Sequence, residues 1–247
     1  MIRYAVIGTS AITEKFTAAA ERTGAFSLSA VCSRDRERGL AFGRPRGCTT
    51  VYETVEALCR DDSIEAVYIA SPNLFHESQT RRCLESGKHV LCEKPIATTC
   101  AGYTALAELA RQKGLVYAEA IMPLYAAGRS AVKEALCEVG DITLARIDFC
   151  QRSSRLDAFL AGQHVNIFDM SLAAGTLMDL GVYCVYAALD LLGEPEEVVS
   201  AVASLLPNGA DGAGCGRFGG DGPDLPAVRA GEAARGAFDD REPVLAQ

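Results

Sequence analysis

Lys94 stands at the end of an apolar run, in the stretch Gly87-Lys88-His89-Val90-Leu91-Cys92-Glu93-Lys94-Pro95. Val90-Leu91-Cys92 reads as a buried strand, halted by a charged pair and a proline. In an open parallel sheet, ligands bind at the carboxyl ends of the strands. A lysine placed there is partly desolvated, which lowers its pKa toward useful acid/base chemistry. Lys94 is therefore the first candidate for a catalytic residue. A surface Glu–Lys pair at a strand end fits the triplet equally well.

Three other segments carry chemistry. Gly8-Thr9-Ser10-Ala11-Ile12 follows an initial apolar strand and opens a helix. In the dinucleotide fingerprint, glycines allow a tight turn and let backbone N–H groups approach a pyrophosphate at a helix N-terminus. Only the first glycine is kept, and Ser10 stands where the second would be. At the end of the second strand, Ser33 and Arg34 replace the acidic residue that usually holds ribose hydroxyls. A hydroxyl and a guanidinium suit a 2′-phosphate, which points to NADP, with NAD still possible. Asp35, one residue later, blurs that preference, and Arg34 also reads as a surface residue. Ser71-Pro72-Asn73 and His76 follow the fourth strand, where the nicotinamide half should pass. With Glu93 and Lys94 they complete the cofactor-binding candidates. His76 has no partner in sequence and is not read as a base. Further on, Asp179 and Tyr183 are spaced i, i+4 on one predicted helix face. A carboxylate and a phenol facing a cleft could orient and protonate a substrate oxygen, although a capped helix with a core tyrosine has the same spacing.

The elements that must position these residues alternate. Strands are predicted at 2–7, 26–32, 51–52, 66–70, 89–92 and 116–119. Helices are predicted at 12–23, 53–60, 75–86 and 100–113, with a charged helix after Asp35. This alternation specifies a doubly wound α/β domain with a parallel sheet and right-handed crossovers, ending near Ala120. The rhythm then changes: a helix over 128–139, a half-buried strand over 143–151, a helix over 175–192 and a strand over 197–206. That reads as the beginning of an α+β domain around an antiparallel sheet, spanning 121–208. From Gly209 to Gln247 the chain has no Ser, Thr, Lys, Ile, Tyr, Met, His or Asn and no hydrophobic period. The expectation is a disordered or poorly packed tail. An out-of-frame reading of GC-rich coding sequence would exclude residue types in the same way.

The bulk composition is ordinary for a soluble globular protein. Of 247 residues, 49% are hydrophobic and 23% charged, and the net charge of −8 argues against nucleic acid as a partner. No apolar run approaches the roughly 20 residues of a membrane span, and the chain starts directly on a strand. The ten cysteines contain no CxxC pair and fall mostly in apolar segments, as Cys32, Cys92 and Cys184 do. They read as small core residues in a reducing cytosol. The three histidines do not cluster with them, so no metal site is expected.

Taken together, the Gly8 turn, Ser71-Pro72-Asn73 with His76, Gly87 to Pro95, Glu119-Ala120 and Asp179-Leu180-Gly181-Val182-Tyr183 resemble the Gfo/Idh/MocA family of NAD(P)-dependent oxidoreductases. Within the family the chain most resembles the branch with dihydrodiol dehydrogenase and NADP-dependent D-xylose dehydrogenase. The resemblance covers residues 1 to about 210. It implies a Rossmann domain followed by an α/β domain whose antiparallel sheet often mediates dimerisation. It also implies Lys94 as an acid/base residue, Tyr183 as proton donor or acceptor, Asp179 as a substrate-positioning residue, and a cis Lys94–Pro95 bond. Met122-Pro123-Leu124 departs from the branch, which leaves substrate choice open. Family members run past 300 residues, so this chain is expected to be C-terminally truncated, with sheet strands missing and an apolar face exposed.

The leading expectation is a cytoplasmic NADP(H)-dependent oxidoreductase that transfers hydride between nicotinamide and a sugar or a cyclic polyol or diol. The alternatives are a catalytically impaired cofactor-binding remnant and a non-enzymatic NADP sensor.

Overall fold

The computed structural model describes residues 1–219, together with the backbone of strand residues 227–231 and 244–245. The chain divides into two compact units, Met1–Ala120 and Ile121–Gln247.

The first unit runs β1 (Ile2–Ile7), α1 (Ala11–Thr23), β2 (Phe26–Cys32), α2 (Arg36–Gly43), β3 (Val51–Tyr52), α3 (Val55–Cys59), β4 (Ala66–Ile69), α4 (His76–Glu85), β5 (His89–Cys92), α5 (Cys100–Lys113) and β6 (Tyr117–Glu119). Its six strands are ordered β3-β2-β1-β4-β5-β6, and all neighbours are parallel. Successive side chains of a strand point to opposite faces, so each strand feeds two cores. Ala5, Ile7, Ala30, Cys32, Val67 and Ile69 pack with Leu58 of α3, Leu84 of α4 and Leu106 of α5. Tyr4, Val6, Val31 and Tyr68 pack on the other face with Ala20 of α1 and Leu40 and Phe42 of α2. The Phe16 ring of α1 stacks on Tyr68 at 3.8 Å between centroids and meets Tyr4 edge-on. The crossovers leave β1 and β4, which are adjacent, toward opposite faces. That is where an open α/β sheet forms its ligand crevice.

The second unit holds α6 (Arg129–Val139), β7 (Arg146–Cys150), α7 (Leu156–Leu160), a π-helical turn (Leu177–Gly181) leading into α8 (Val182–Leu192), β8 (Glu197–Leu205), β9 (Asp211–Gly219), β10 (Ala227–Gly231) and β11 (Val244–Leu245). Its sheet is ordered β11-β8-β9-β10-β7 and is antiparallel except where β10 pairs with β7. In β7, Ile147 and Phe149 face inward, where with Phe218 of β9 they meet Cys184 and Ala188 of α8, while Arg146, Asp148 and Cys150 face outward.

Four expectations change. The expectation of disorder from Gly209 fails at its start: residues 211–219 form a nine-residue strand laid along β8. This strand is fixed by the backbone of its neighbour, so it needs no hydrophobic period of its own. The rest of the tail, apart from the backbone of β10 and β11, lies outside the described residues. The helix over 175–192 contains a π turn. Residues Met170–Leu192 also reach the length and mean hydropathy, 1.5, of a membrane span. Here, however, the segment includes non-helical residues, and its α8 portion packs on the sheet. Finally, six cysteines, among them Cys32, Cys92 and Cys184, are buried, but Cys100, Cys137 and Cys150 are exposed.

Candidate functional site

The strands of the first unit end in register. Ile7 is paired with both Cys32 and Ile69, Ile69 with Cys92, and Cys92 with Glu119. The next residues form a row held by backbone hydrogen bonds. The Gly8 N–H donates to Cys32 O, Ala70 N–H to Ile7 O, Glu93 N–H to Ile69 O and Ala120 N–H to Cys92 O. This row, with Ser33 at the end of β2, is the carboxyl edge of the sheet. It gathers Gly8 to Ile12, Ser33, Arg34, Ser71 to Asn73, Glu93 and Lys94.

Gly8 is required at its position for two reasons. Its φ is +102°, and a Cβ there would lie 2.6 Å from the Ala70 carbonyl oxygen. The chain then enters α1, whose N-cap, Ser10, makes no side-chain cap hydrogen bond. By contrast, α2, α3 and α5 are capped by Asp35, Thr54 and Thr99. The first N–H groups of α1 therefore keep their donors for an anion. A close-approach glycine beside an uncapped thirteen-residue helix fits a dinucleotide pyrophosphate.

Asp35 does not compete with Arg34. Its Oδ1 accepts from the Arg38 N–H at 3.1 Å as the α2 cap, and Ser33 Oγ donates to Asp35 O. Arg34 is exposed and makes no ion pair among the described residues. The Ser71 hydroxyl donates to Gln79 Oε1. At the end of β5, Glu93 Oε1 accepts from the Tyr68 hydroxyl at 2.5 Å, and its Oε2 accepts from the Lys94 N–H at 3.3 Å. Lys94 is half-buried, and its bond to Pro95 is cis.

His76 does not belong among the cofactor ligands. It is fully buried, with Nδ1 2.8 Å from Pro95 O and Nε2 2.9 Å from Ser71 O. Carbonyl oxygens only accept, so each contact is a hydrogen bond when that nitrogen carries a proton. The ring joins the segments that follow β4 and β5, with both nitrogens turned to protein carbonyls.

Sequence reasoning missed the groups that hold the loop after Lys94. Glu119 Oε1 accepts from the Ile96 N–H at 2.8 Å, and the Tyr117 hydroxyl donates to Ile96 O. Burial raises the Glu119 carboxyl above the usual glutamate value, opposed by that Ile96 hydrogen bond. Glu77 Oε1 accepts from Thr98 and Thr99. Such carboxylate-to-loop contacts span some twenty residues and leave no local spacing to read. The one signal was the Thr98-Thr99 pair before α5.

In the second unit, Asp179 lies in the π turn and Tyr183 in the first turn of α8. The Tyr183 ring packs edge-on to Phe149 at 5.6 Å. Asp211 of β9, in the segment expected to be disordered, accepts from the Leu177 N–H at 2.6 Å and so holds the start of this turn.

Comparisons with known proteins agree with both units. Residues 2–121 match the model of an oxidoreductase family with an NAD-binding Rossmann fold, and residues 131–224 match the GFO/IDH/MocA C-terminal domain. An uncharacterized oxidoreductase of Escherichia coli K12 is 39% identical over 214 residues. The scyllo-inositol 2-dehydrogenase (NADP(+)) of Bacillus subtilis is 38% identical over 214 residues. Each alignment covers 87% of this chain and 65% of the relative. The chain thus spans about two thirds of the length of the curated relatives it matches. Among solved structures, a 3-ketoreductase from Actinomadura kijaniata in complex with NADP superposes with a TM-score of 0.80 at 27% identity, covering 94% of this chain and 69% of that one. With a Rossmann unit built around the Gly8 turn and a matching C-terminal unit, this chain belongs to the Gfo/Idh/MocA family of oxidoreductases.

Proposed function

We propose that this chain is an NADP(H)-dependent oxidoreductase acting on a CH–OH group of a sugar or a cyclic polyol or diol. The observation that carries the proposal is the carboxyl edge of the first sheet. There the open α1 N-terminus, the Gly8 turn, an exposed Arg34 beside an engaged Asp35, and Lys94 share one row of strand ends. The α1 N–H groups would hold the pyrophosphate, and Ser33 and Arg34 the 2′-phosphate. When bound, nicotinamide supplies the hydride acceptor or donor at its C4.

The chain's own work is with the proton. In the oxidation direction the carbinol C–H leaves as hydride and the hydroxyl loses its proton to a base. Lys94 is assigned to hold and move that proton at the substrate oxygen, with Tyr183 as a second donor or acceptor and Asp179 positioning the substrate. The similarity to dehydrogenases named for scyllo-inositol and D-xylose supports the substrate class.

The test titrates NADPH by fluorescence and then follows nicotinamide absorbance with a panel of sugars, inositols and diols. NADPH binding with turnover of at least one of these is expected. Lys94→Ala should reduce kcat roughly a thousandfold while sparing NADPH binding. Unchanged turnover in that variant refutes the role of Lys94.

A further inference from the structure

We infer that Glu77 is a positioning residue for Lys94, acting through the loop that leaves the end of β5. The inference rests on the proposed role of Lys94 and names what fixes it in place. Glu77 Oε1 gathers four donors from two consecutive residues. These are the Thr98 N–H and hydroxyl, both at 2.8 Å, and the Thr99 N–H and hydroxyl, at 3.0 and 3.3 Å. Thr99 is at the same time the N-cap of α5, accepting from the Gly102 N–H. One carboxylate oxygen therefore pins the point where the loop becomes a helix.

The loop is only five residues long, Pro95 to Thr99, and it is tied along its length. His76, adjacent to Glu77 on α4, meets Pro95 O, one residue past Lys94. Glu119 and Tyr117 of β6 hold the N–H and the carbonyl of Ile96. His76 and Glu77 make α4 a splint against which the Lys94 segment is set. A shift at Thr98 has little slack to absorb it before it reaches Lys94.

The surroundings are built to admit the Glu77 carboxylate. A Cβ on Gly102, in the first turn of α5, would collide with Glu77 Oε2. Desolvation pushes the Glu77 carboxyl upward, but the hydrogen bonds from Thr98 and Thr99 outweigh it and hold the group below the usual glutamate range. It stays the all-acceptor anion that four donors require. A group serving α5 stability alone would need only the Thr99 cap. Here the carboxylate reaches across from α4 to the one loop that begins at Lys94.

The test reads Lys94 directly. The full chain, as wild type and as Glu77→Gln, Glu77→Asp and Gly102→Ala, is labelled with limiting acetic anhydride at fixed pH. The extent of acetylation at each lysine is read by mass spectrometry, with Lys15 and Lys113 as internal references. Glu77→Gln and Gly102→Ala should change Lys94 labelling several-fold without altering the references. Glu77→Asp should restore it in part. On any substrate turned over, kcat should fall about tenfold or more with the NADPH affinity unchanged. Gly102→Ala keeps the test open if Glu77→Gln fails to fold, because alanine favours the helix. Lys94 labelling at the wild-type level in either folded variant overturns the inference. If labelling responds but wild type turns over nothing, the functional proposal fails and the positioning stands.

Discussion

The two sheets of this protein are finished in different ways. In the first unit the parallel strands are covered on both faces, and Ala5, Val6, Ala30, Val31 and Ile69 are fully excluded from solvent. In the second unit β7 alternates between inward and exposed residues, Val198 and Val199 of β8 are both exposed, and α6 buries none of its residues. A parallel sheet needs helices on both faces because every crossover lays one there, whereas an antiparallel sheet can leave a face open. The row of strand ends in common register belongs to the sealed unit, where the close-packed core on both faces limits how far any one strand can shift.

The largest expected effect would show that contrast as stability. Leu84 of α4 is fully buried between helix and sheet, so Leu84→Ala should cost about 2–5 kcal/mol. Leu144, ahead of β7, is 70% exposed, and Leu144→Ala should stay within about 0.5 kcal/mol. Urea unfolding followed by circular dichroism measures both. Equal losses would break the comparison. A smaller loss is expected at the edge itself. Gly8→Ala forces a side chain into the left-handed region and against Ala70 O, at a cost of about 1–3 kcal/mol. NADPH affinity should fall along with stability.

The same contrast governed what could be read from the sequence. In the first unit each strand is a short apolar run and most helices are closed by a recognisable residue, so β2, β5 and α5 fall where periodicity and the glycine stops place them. The site was legible to the extent that it is made of strand ends. Gly8, Ser33, Ser71 and Lys94 follow directly from where apolar runs stop. His76 was misread because a histidine after a strand end looks available, and only packing shows both ring nitrogens occupied. In the second unit the tail defeated sequence reading. Asp211–Gly219 is glycine-rich, and its strand depends on β8 alongside it. The role of Asp211 in holding Leu177, thirty-four residues back, has no local signature.

Cofactor choice sharpens the comparison at a smaller scale, because Ser33 and Arg34, the residues proposed to decide it, lie in the sealed unit. With Asp35 engaged in capping α2 and Arg34 free to reach a 2′-phosphate, Arg34→Ala should weaken NADPH binding about tenfold and leave NADH binding unchanged. Fluorescence titration of both nucleotides decides it. An equal loss for NADH would place Arg34 outside the 2′-phosphate site.

The smallest effect compares one carboxylate from each unit, and the two should respond to pH with opposite signs. Glu77 is held below the ordinary glutamate value of 4.5. A carboxyl lowered on folding adds stability that is present above its unfolded value and lost as pH falls through the folded one. Glu77→Gln should therefore be less stable than wild type near neutrality, and the deficit should close as the pH drops below 4.5. Asp211 is raised above the ordinary value of 3.8, chiefly by burial, with the Leu177, Asp211 and Thr176 N–H groups opposing. A raised carboxyl contributes stability that is present below its unfolded value and lost as pH rises through the folded one. Asp211→Asn should therefore compare worst with wild type at acid pH and improve relative to it as the pH climbs past 3.8. Melting temperatures of the three proteins across that range measure the two slopes. A common sign would mean that burial, not hydrogen bonding, sets both groups. Opposite signs would show that Glu77 sits where the fold supplies enough donors to keep a charge, and Asp211 where it supplies too few.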